Sequence, residues 1–198
     1  GIAARTRTEV LEVTVPSDYR CPNGGKFKAR ALHYATSHSS ARRHDWIVHM
    51  DEETRFTAET VAHVLTHCLK EHDLWDTKRS PWGNIGQGVI VYNTTAIEST
   101  LCSLADSIRV GDDFGKFALQ YRVWEDPLIG MHGSFVVCQN AVEIDFGFDH
   151  GLEGSITEDT FFAMHIAEHG VKVKWCLGHM YEQSPFNVPP ARIELAIS

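Results

Sequence analysis

An α/β fold with a largely parallel sheet is predicted by two observations. Short apolar runs alternate with segments of helical spacing along most of the 198 residues, and the length suits one domain with a sizeable core. Two of the junctions between such segments also carry clustered acids, at Asp51 to Glu53 and at Glu158-Asp159. Ligands of open α/β sheets bind beyond the carboxyl ends of the strands, so acids placed there mark candidate sites.

The elements follow in chain order. Residues 9–15 alternate apolar and polar groups with β-branched enrichment, which predicts a strand closed by Pro16. Asn23-Gly-Gly then precedes a run of helix formers from Lys26 to Ala35, with Phe27, Ala31, Tyr34 and Ala35 expected on its buried face. Lys26, Lys28 and Arg30 sit near the start of this helix. They read either as a solvated basic face or as cations beside an anion at a helix N-terminus.

Trp46 to Met50 is an apolar run ending abruptly at Asp51-Glu-Glu53. On extended backbone, residues two apart point the same way, so Asp51 and Glu53 could share one Mg²⁺ or Mn²⁺. The competing reading is a solvated turn. Thr57 is placed to cap a helix reaching about His72, whose apolar stripe is Val61, Val64 or Leu65, Cys68 and Leu69. His63 and His67 have the spacing of two zinc ligands on one helix. However, Val64 stands where a metalloprotease needs Glu, and both histidines fall mainly opposite the apolar stripe, which favours a solvated face.

Residues 81–88 read as a tight loop into a strand at 89–92, since no Gly-Lys-Ser/Thr follows to make a phosphate loop. Residues 96–110 have helical spacing that 112–122 continues or restarts. Phe135 to Cys138 predicts a strand, and the Gly- and acid-rich stretch from Asp145 to Ser155 a mobile loop. Thr157-Glu158-Asp159 heads a helix to His169, stopped by Gly170 and followed by an alternating strand at 171–177. Acids at a helix start also serve as caps, so Glu158 and Asp159 carry that simpler reading too.

Composition excludes some classes. A formal charge of −8 argues against general electrostatic affinity for nucleic acid. The five cysteines are scattered, form no Cys-x-x-Cys pair, and read as small buried hydrophobes in a reducing compartment. No run approaches the ~18 apolar residues of a membrane span, so the segment itself is expected to be soluble. The chain opens with Gly1, which suggests a fragment or processed product with membrane anchors outside it.

Taken together, a metal at Asp51/Glu53 would neutralise the leaving diphosphate of a sugar nucleotide while Asp159 deprotonates an acceptor hydroxyl. That is single-displacement, inverting glycosyl transfer. Asn23-Gly-Gly-Lys26, Lys28-Ala-Arg-Ala-Leu32 and Asp45 to Thr54 resemble the front half of family-2 glycosyltransferases of GT-A fold. Gly86-Gln-Gly88, Leu104 to Arg109 with Asp112-Asp113 and Gly115-Lys116, Gly133-Ser134, Gly154 to Met164 and Met180 to Phe186 resemble the Egghead-type β-1,4-mannosyltransferases.

The resemblance implies a GT-A-type α/β fold and mannosyl transfer from GDP-mannose to a glucosylceramide-type glycolipid acceptor with Mn²⁺ or Mg²⁺. It assigns Asp51 and Glu53 to the metal and donor diphosphate, and Lys26 to the donor. Asp159 becomes the base within the Thr157-Glu158-Asp159 motif, with Gly133 and Ser134 on the acceptor side. It further implies a membrane-embedded full-length protein at the ER or Golgi with a cytosol-facing catalytic domain.

Two departures accompany it: the family's earlier nucleotide-binding strand and its later Q-x-x-R-W motif have no counterpart here. Residues 1–186 therefore read as a partial, incomplete catalytic domain and 187–198 as a divergent, irregular tail. A UDP-sugar-using, polysaccharide-synthase-like transferase and a catalytically inactive binding fragment are the rival readings.

Overall fold

The computed structural model describes residues 12–74, 80–93 and 100–183. In chain order these form α1 (Phe27–His38), β1 (Trp46–His49), α2 (Ala58–Leu74), β2 (Ile85–Asn93), α3 (Thr100–Asp112), β3 (Val136–Gln139), α4 (Asn140–Phe146), α5 (Glu158–Glu168) and β4 (Val173–Gln183). Two π-helical segments, Asp113–Phe117 and Gln120–Trp124, extend α3, so the helical spacing after Gly111 is a continuation in wider turns.

The α/β class is observed, but the sheet is mixed, in the order β1-β3-β2-β4. β3 runs antiparallel to both β1 and β2, and only β2 and β4 are parallel. Alternation along the strands builds two apolar layers. Val136, Cys138 and Ile47 join Phe148, Phe162 and Ile166 on one face, while Phe135, Val137 and Val48 join Cys68, Ile90 and Met180 on the other. α4 and α5 pack on the first face and α2 on the second.

Several boundaries differ from expectation. β2 begins at Ile85, inside the stretch read as a loop, because Gly86 and Gly88 are strand glycines under bulky rings. A Cβ at Gly88 would lie 2.2 Å from the Phe135 ring, and one at Gly86 would lie 2.5 Å from His67 Nε2. β4 continues to Gln183, and α4 was not anticipated at all. Residues 12–15 of the expected first strand are irregular, and its beginning lies outside the described residues, as does the tail at 187–198. The stretch from Asp145 to Ser155 is held in place. Asp149 accepts hydrogen bonds from the backbone of Asn23 at 2.6 Å and Gly25 at 2.8 Å, and Lys26 N–H donates to Ser155 Oγ at 2.8 Å.

Two helices turn a different face inward. In α1 the buried residue is Ala29, whereas Phe27 is 70 % exposed with φ of 54°. In α2, Thr57 caps the first turn, its Oγ1 accepting from Thr60 N–H at 3.2 Å. Cys68 and Val64 of the expected stripe do pack inward, but polar groups share the inner positions with them. Thr60 Oγ1 donates to His179 O at 2.8 Å, Glu71 pairs with Lys174 at 3.1 Å, and His67 lies edge-on to Trp46. Val61, Leu65 and Leu69 point outward, 42 %, 56 % and 65 % exposed.

His67 is therefore a core residue rather than part of a solvated face. Burial, aided by Lys174 and Lys70 against the opposing charge of Glu71, holds its imidazole below the ordinary value. Because the folded form favours neutral His67, its contribution is complete above about pH 6.5 and is lost as pH falls through the lower folded value. The thermal midpoint is expected to decline on acidification from about pH 7 to pH 5, and His67→Leu should flatten that decline. Parallel slopes for the two proteins would show that His67 does not titrate on unfolding.

Candidate active site

The acids at the end of β1 do not sit on extended backbone. β1 stops at His49, and Asp51 to Thr54 forms a turn closed by Thr54 N–H to Asp51 O at 3.0 Å. The reasoning that aligned Asp51 with Glu53 by strand pleat therefore does not apply. A turn places them instead: Asp51 is half-buried and Glu53 exposed.

The turn is anchored from two sides. Asp51 N–H reaches Thr54 Oγ1 at 3.1 Å and Ser134 Oγ at 3.4 Å, and Thr54 Oγ1 donates to Glu182 Oε1 at 3.0 Å. Arg55 and Tyr181 exchange backbone hydrogen bonds of 2.7 and 2.8 Å alongside. Ser134, assigned by resemblance to the acceptor side, is buried, and its hydroxyl braces this turn.

Opposite lies the start of α5. Glu158 is buried and Asp159 half-buried, with Thr160 N–H donating to Asp159 Oδ1 at 2.7 Å. Gly133 separates the two acidic groups. A methyl group on it would stand 3.1 Å from Lys28 Nζ and 3.4 Å from Asp159 Oδ2, so a side chain there would crowd the space beside both groups. Lys28 in turn donates to Asp51 Oδ1 at 2.6 Å. Asp51, Lys28, Gly133 and Asp159 thus form one continuous wall.

The electrostatics follow from three carboxylates around one ammonium. Burial depresses the Lys28 ammonium, but the hydrogen bond and charge of Asp51, with Glu158 and Asp159, leave it above the ordinary value. Burial raises the Glu158 carboxyl, and the charges of Asp159 and Asp51 add to this against the pull of Lys28. An anionic diphosphate entering such a wall needs extra positive charge. Mg²⁺ characteristically binds through one or two carboxylates plus substrate phosphates and waters; the turn carries two carboxylates, Asp51, paired with Lys28, and the exposed Glu53.

Sequence reasoning brought Asp51, Gly133, Glu158 and Asp159 to one place. It assigned Lys26 rather than Lys28 to the donor; the Lys26 backbone caps onto Ser155, and the ammonium paired with Asp51 belongs to Lys28. Lys28 was visible only as one of several basic residues. Thr54 and Glu182 fell within matched stretches but had no role assigned, because their bond joins segments more than a hundred residues apart. Also unanticipated is the pair formed by Asp113 Oδ1 and His132 Nε2 at 2.5 Å, which fixes the loop before Gly133. Gln87 holds the same loop, accepting from His132 N–H at 3.1 Å.

With the geometry in place, comparison with known proteins adds an independent line. The profile described as glycosyl transferase family group 2 matches residues 46–193. The chain is 43 % and 42 % identical over 181 residues to the β-1,4-mannosyltransferases bre-3 of Caenorhabditis briggsae and Caenorhabditis elegans. It is 39 % identical over 181 residues to the β-1,4-mannosyltransferase egh of Drosophila melanogaster. Each match covers 90 % of this chain but only 37–38 % of the relative's length.

Proposed function

This chain belongs to glycosyl transferase family group 2, and from that premise we propose that it forms the catalytic part of an inverting β-1,4-mannosyltransferase using GDP-mannose and a glycolipid acceptor. The observation that carries the reading is the convergence of Asp159 Oδ2 and Lys28 Nζ on Gly133. It sets a carboxylate oxygen opposite the cation that would receive a donor diphosphate.

Asp159 acts as the general base. It takes the proton of the acceptor hydroxyl as that oxygen bonds to the anomeric carbon, and the sugar–phosphate bond breaks with its electron pair leaving on the diphosphate. Attack from the face opposite the leaving group inverts the configuration. Glu158 lies buried beside Asp159 at the start of the same helix. A divalent metal, when bound through Asp51 and Glu53, supplies Lewis-acid neutralisation of the leaving group. Lys28 contributes a fixed positive charge to the same group, and Thr54, Ser134 and Glu182 keep the Asp51 turn from drifting.

Glycolipid acceptors place this chemistry at a membrane surface. Among the described residues no helix is long and apolar enough to cross a membrane. Anchoring would fall to other parts of the protein, at the ER or Golgi with the site facing the cytosol.

A panel of GDP- and UDP-sugars, assayed with a glucosylceramide-type acceptor and Mn²⁺ or Mg²⁺, tests the reading. Transfer from GDP-mannose with a β-linked product is expected. Preference for a UDP-sugar would replace it with a polysaccharide-synthase-like activity, and no transfer from any donor with intact folding would leave a binding fragment. Within the same assay, Lys28→Gln should raise the donor KM about 10- to 100-fold, the loss expected for one charge-assisted contact of about 1.5–3 kcal/mol. An unchanged donor KM would remove Lys28 from the diphosphate site.

A further inference from the structure

Behind the Asp51 turn, three side chains from three elements meet in the core. His49 ends β1, Cys138 lies on β3 and Glu143 lies on α4. Because Ile47 pairs with Cys138 and His49 with Val136, the antiparallel register puts His49 and Cys138 diagonally adjacent on one face of the sheet. α4 follows β3 without a loop and lowers Glu143 onto that face.

Glu143 Oε1 is 2.7 Å from His49 Nε2 and 2.8 Å from Cys138 Sγ, and one ligand atom from each residue falls within 4.8 Å of the others. Cys138 is fully buried and Glu143 nearly so. Among the described residues this is the single group of three potential ligands so closely spaced.

Two hydrogen bonds already hold the cluster without an ion, so proximity alone does not decide its role. The composition of the set does. A thiol is a weak donor, and the ion pair that compensates this buried carboxylate is to an imidazole, which carries charge only when protonated. Imidazole, thiolate and carboxylate together are instead the donor set of a borderline-soft cation, and a poor match for Mg²⁺.

A tetrahedral ion at normal bond lengths spaces its ligand atoms about 3.5 Å apart, so Glu143 Oε1 would stand further from His49 Nε2 and Cys138 Sγ than the present 2.7 and 2.8 Å. His49 also lines a small cavity with Gly133, Glu158 and Asp159. Its volume of about 20 Å³ is room for about one water beside His49.

We propose that His49, Cys138 and Glu143 form a zinc site, separate from the Asp51/Glu53 turn. Binding replaces the Cys138 thiol proton, which passes to solvent, with a sulfur–zinc bond, and no oxidation or reduction occurs. The ion ties the last residue of β1 to β3 and α4. It fixes the strand end from which the Asp51 turn springs.

Cobalt(II) reports on the site without reference to activity. Added to chelator-stripped protein, it is expected to bind at one equivalent with a thiolate-to-cobalt charge-transfer band, to be displaced by zinc and to persist in excess Mg²⁺. Cys138→Ser should abolish the band, whereas Cys68→Ser and Cys176→Ser retain it. Glu143→Gln should weaken cobalt binding by roughly tenfold or more. Absence of a sulfur charge-transfer band in the wild-type protein overturns the site, as does its survival in Cys138→Ser. If Cys138→Ser does not fold, as judged by circular dichroism, unaltered cobalt affinity in folded Glu143→Gln overturns it equally.

Discussion

Asp159→Asn is expected to lower kcat by about 10²- to 10⁴-fold, the usual worth of a positioned general base, while leaving the donor KM within a few fold. The asymmetry comes from position. Asp159 Oδ1 accepts the Thr160 N–H at the helix start, a bond that asparagine's carbonyl can keep, so the fold of α5 survives. Oδ2, facing the cleft beside Gly133, loses its capacity to take a proton. The contrasting change Lys28→Gln acts on the donor side and appears in KM. A turnover number for Asp159→Asn close to wild type would remove this residue as base and direct attention to Glu158, whose own carboxyl is raised by burial.

Phe162→Ala should destabilise the domain by about 3–5 kcal/mol, measured as a shift in the denaturant midpoint at unchanged slope. Phe162 is 1 % exposed and stacks on Phe148 with ring centroids 4.7 Å apart. It belongs to the buried cluster with Val136, Cys138 and Ile166. The cost reaches the site, because Phe162 is the first core anchor of α5 after Asp159. Near neutrality in stability would mean that α5 is held by its other contacts and that the apolar layer beneath it tolerates a cavity.

Much of this organisation was legible in the chain, and what was not has identifiable physical causes. β1, β3 and α5 announced themselves because apolar runs ended at acids, glycines or turn residues. The inward face of α2 was read correctly at Val64 and Cys68 but not at Val61 and Leu69, because hydrophobic periodicity counts side-chain type and not available partners. Thr60, Glu71 and His67 are buried because His179 O, Lys174 and the bare backbone at Gly86 accommodate them. α4 escaped notice because it is short and begins directly after β3, with no capping side chain at Gln139. At the site, acids at element junctions carried a signal that one sequence shows, whereas the Lys28–Asp51 pair and the Thr54–Glu182 bond exist only once distant segments have met.

The strand order also bears on how the domain is made. β1 finds its partner only when β3 is present, and β2 is flanked by β3 and β4, so no two strands consecutive in the chain before β3 pair with each other. Every sheet contact but the one between β2 and β3 closes a loop of eighty or more residues. Loop-closure entropy must be met before those contacts give anything back, which places the sheet among slowly nucleating topologies. Among the described strands, β1 and β2 have no sheet partner until β3 is made. The acids directly after His49 put charge at the end of β1, a feature that disfavours pairing with a wrong neighbour.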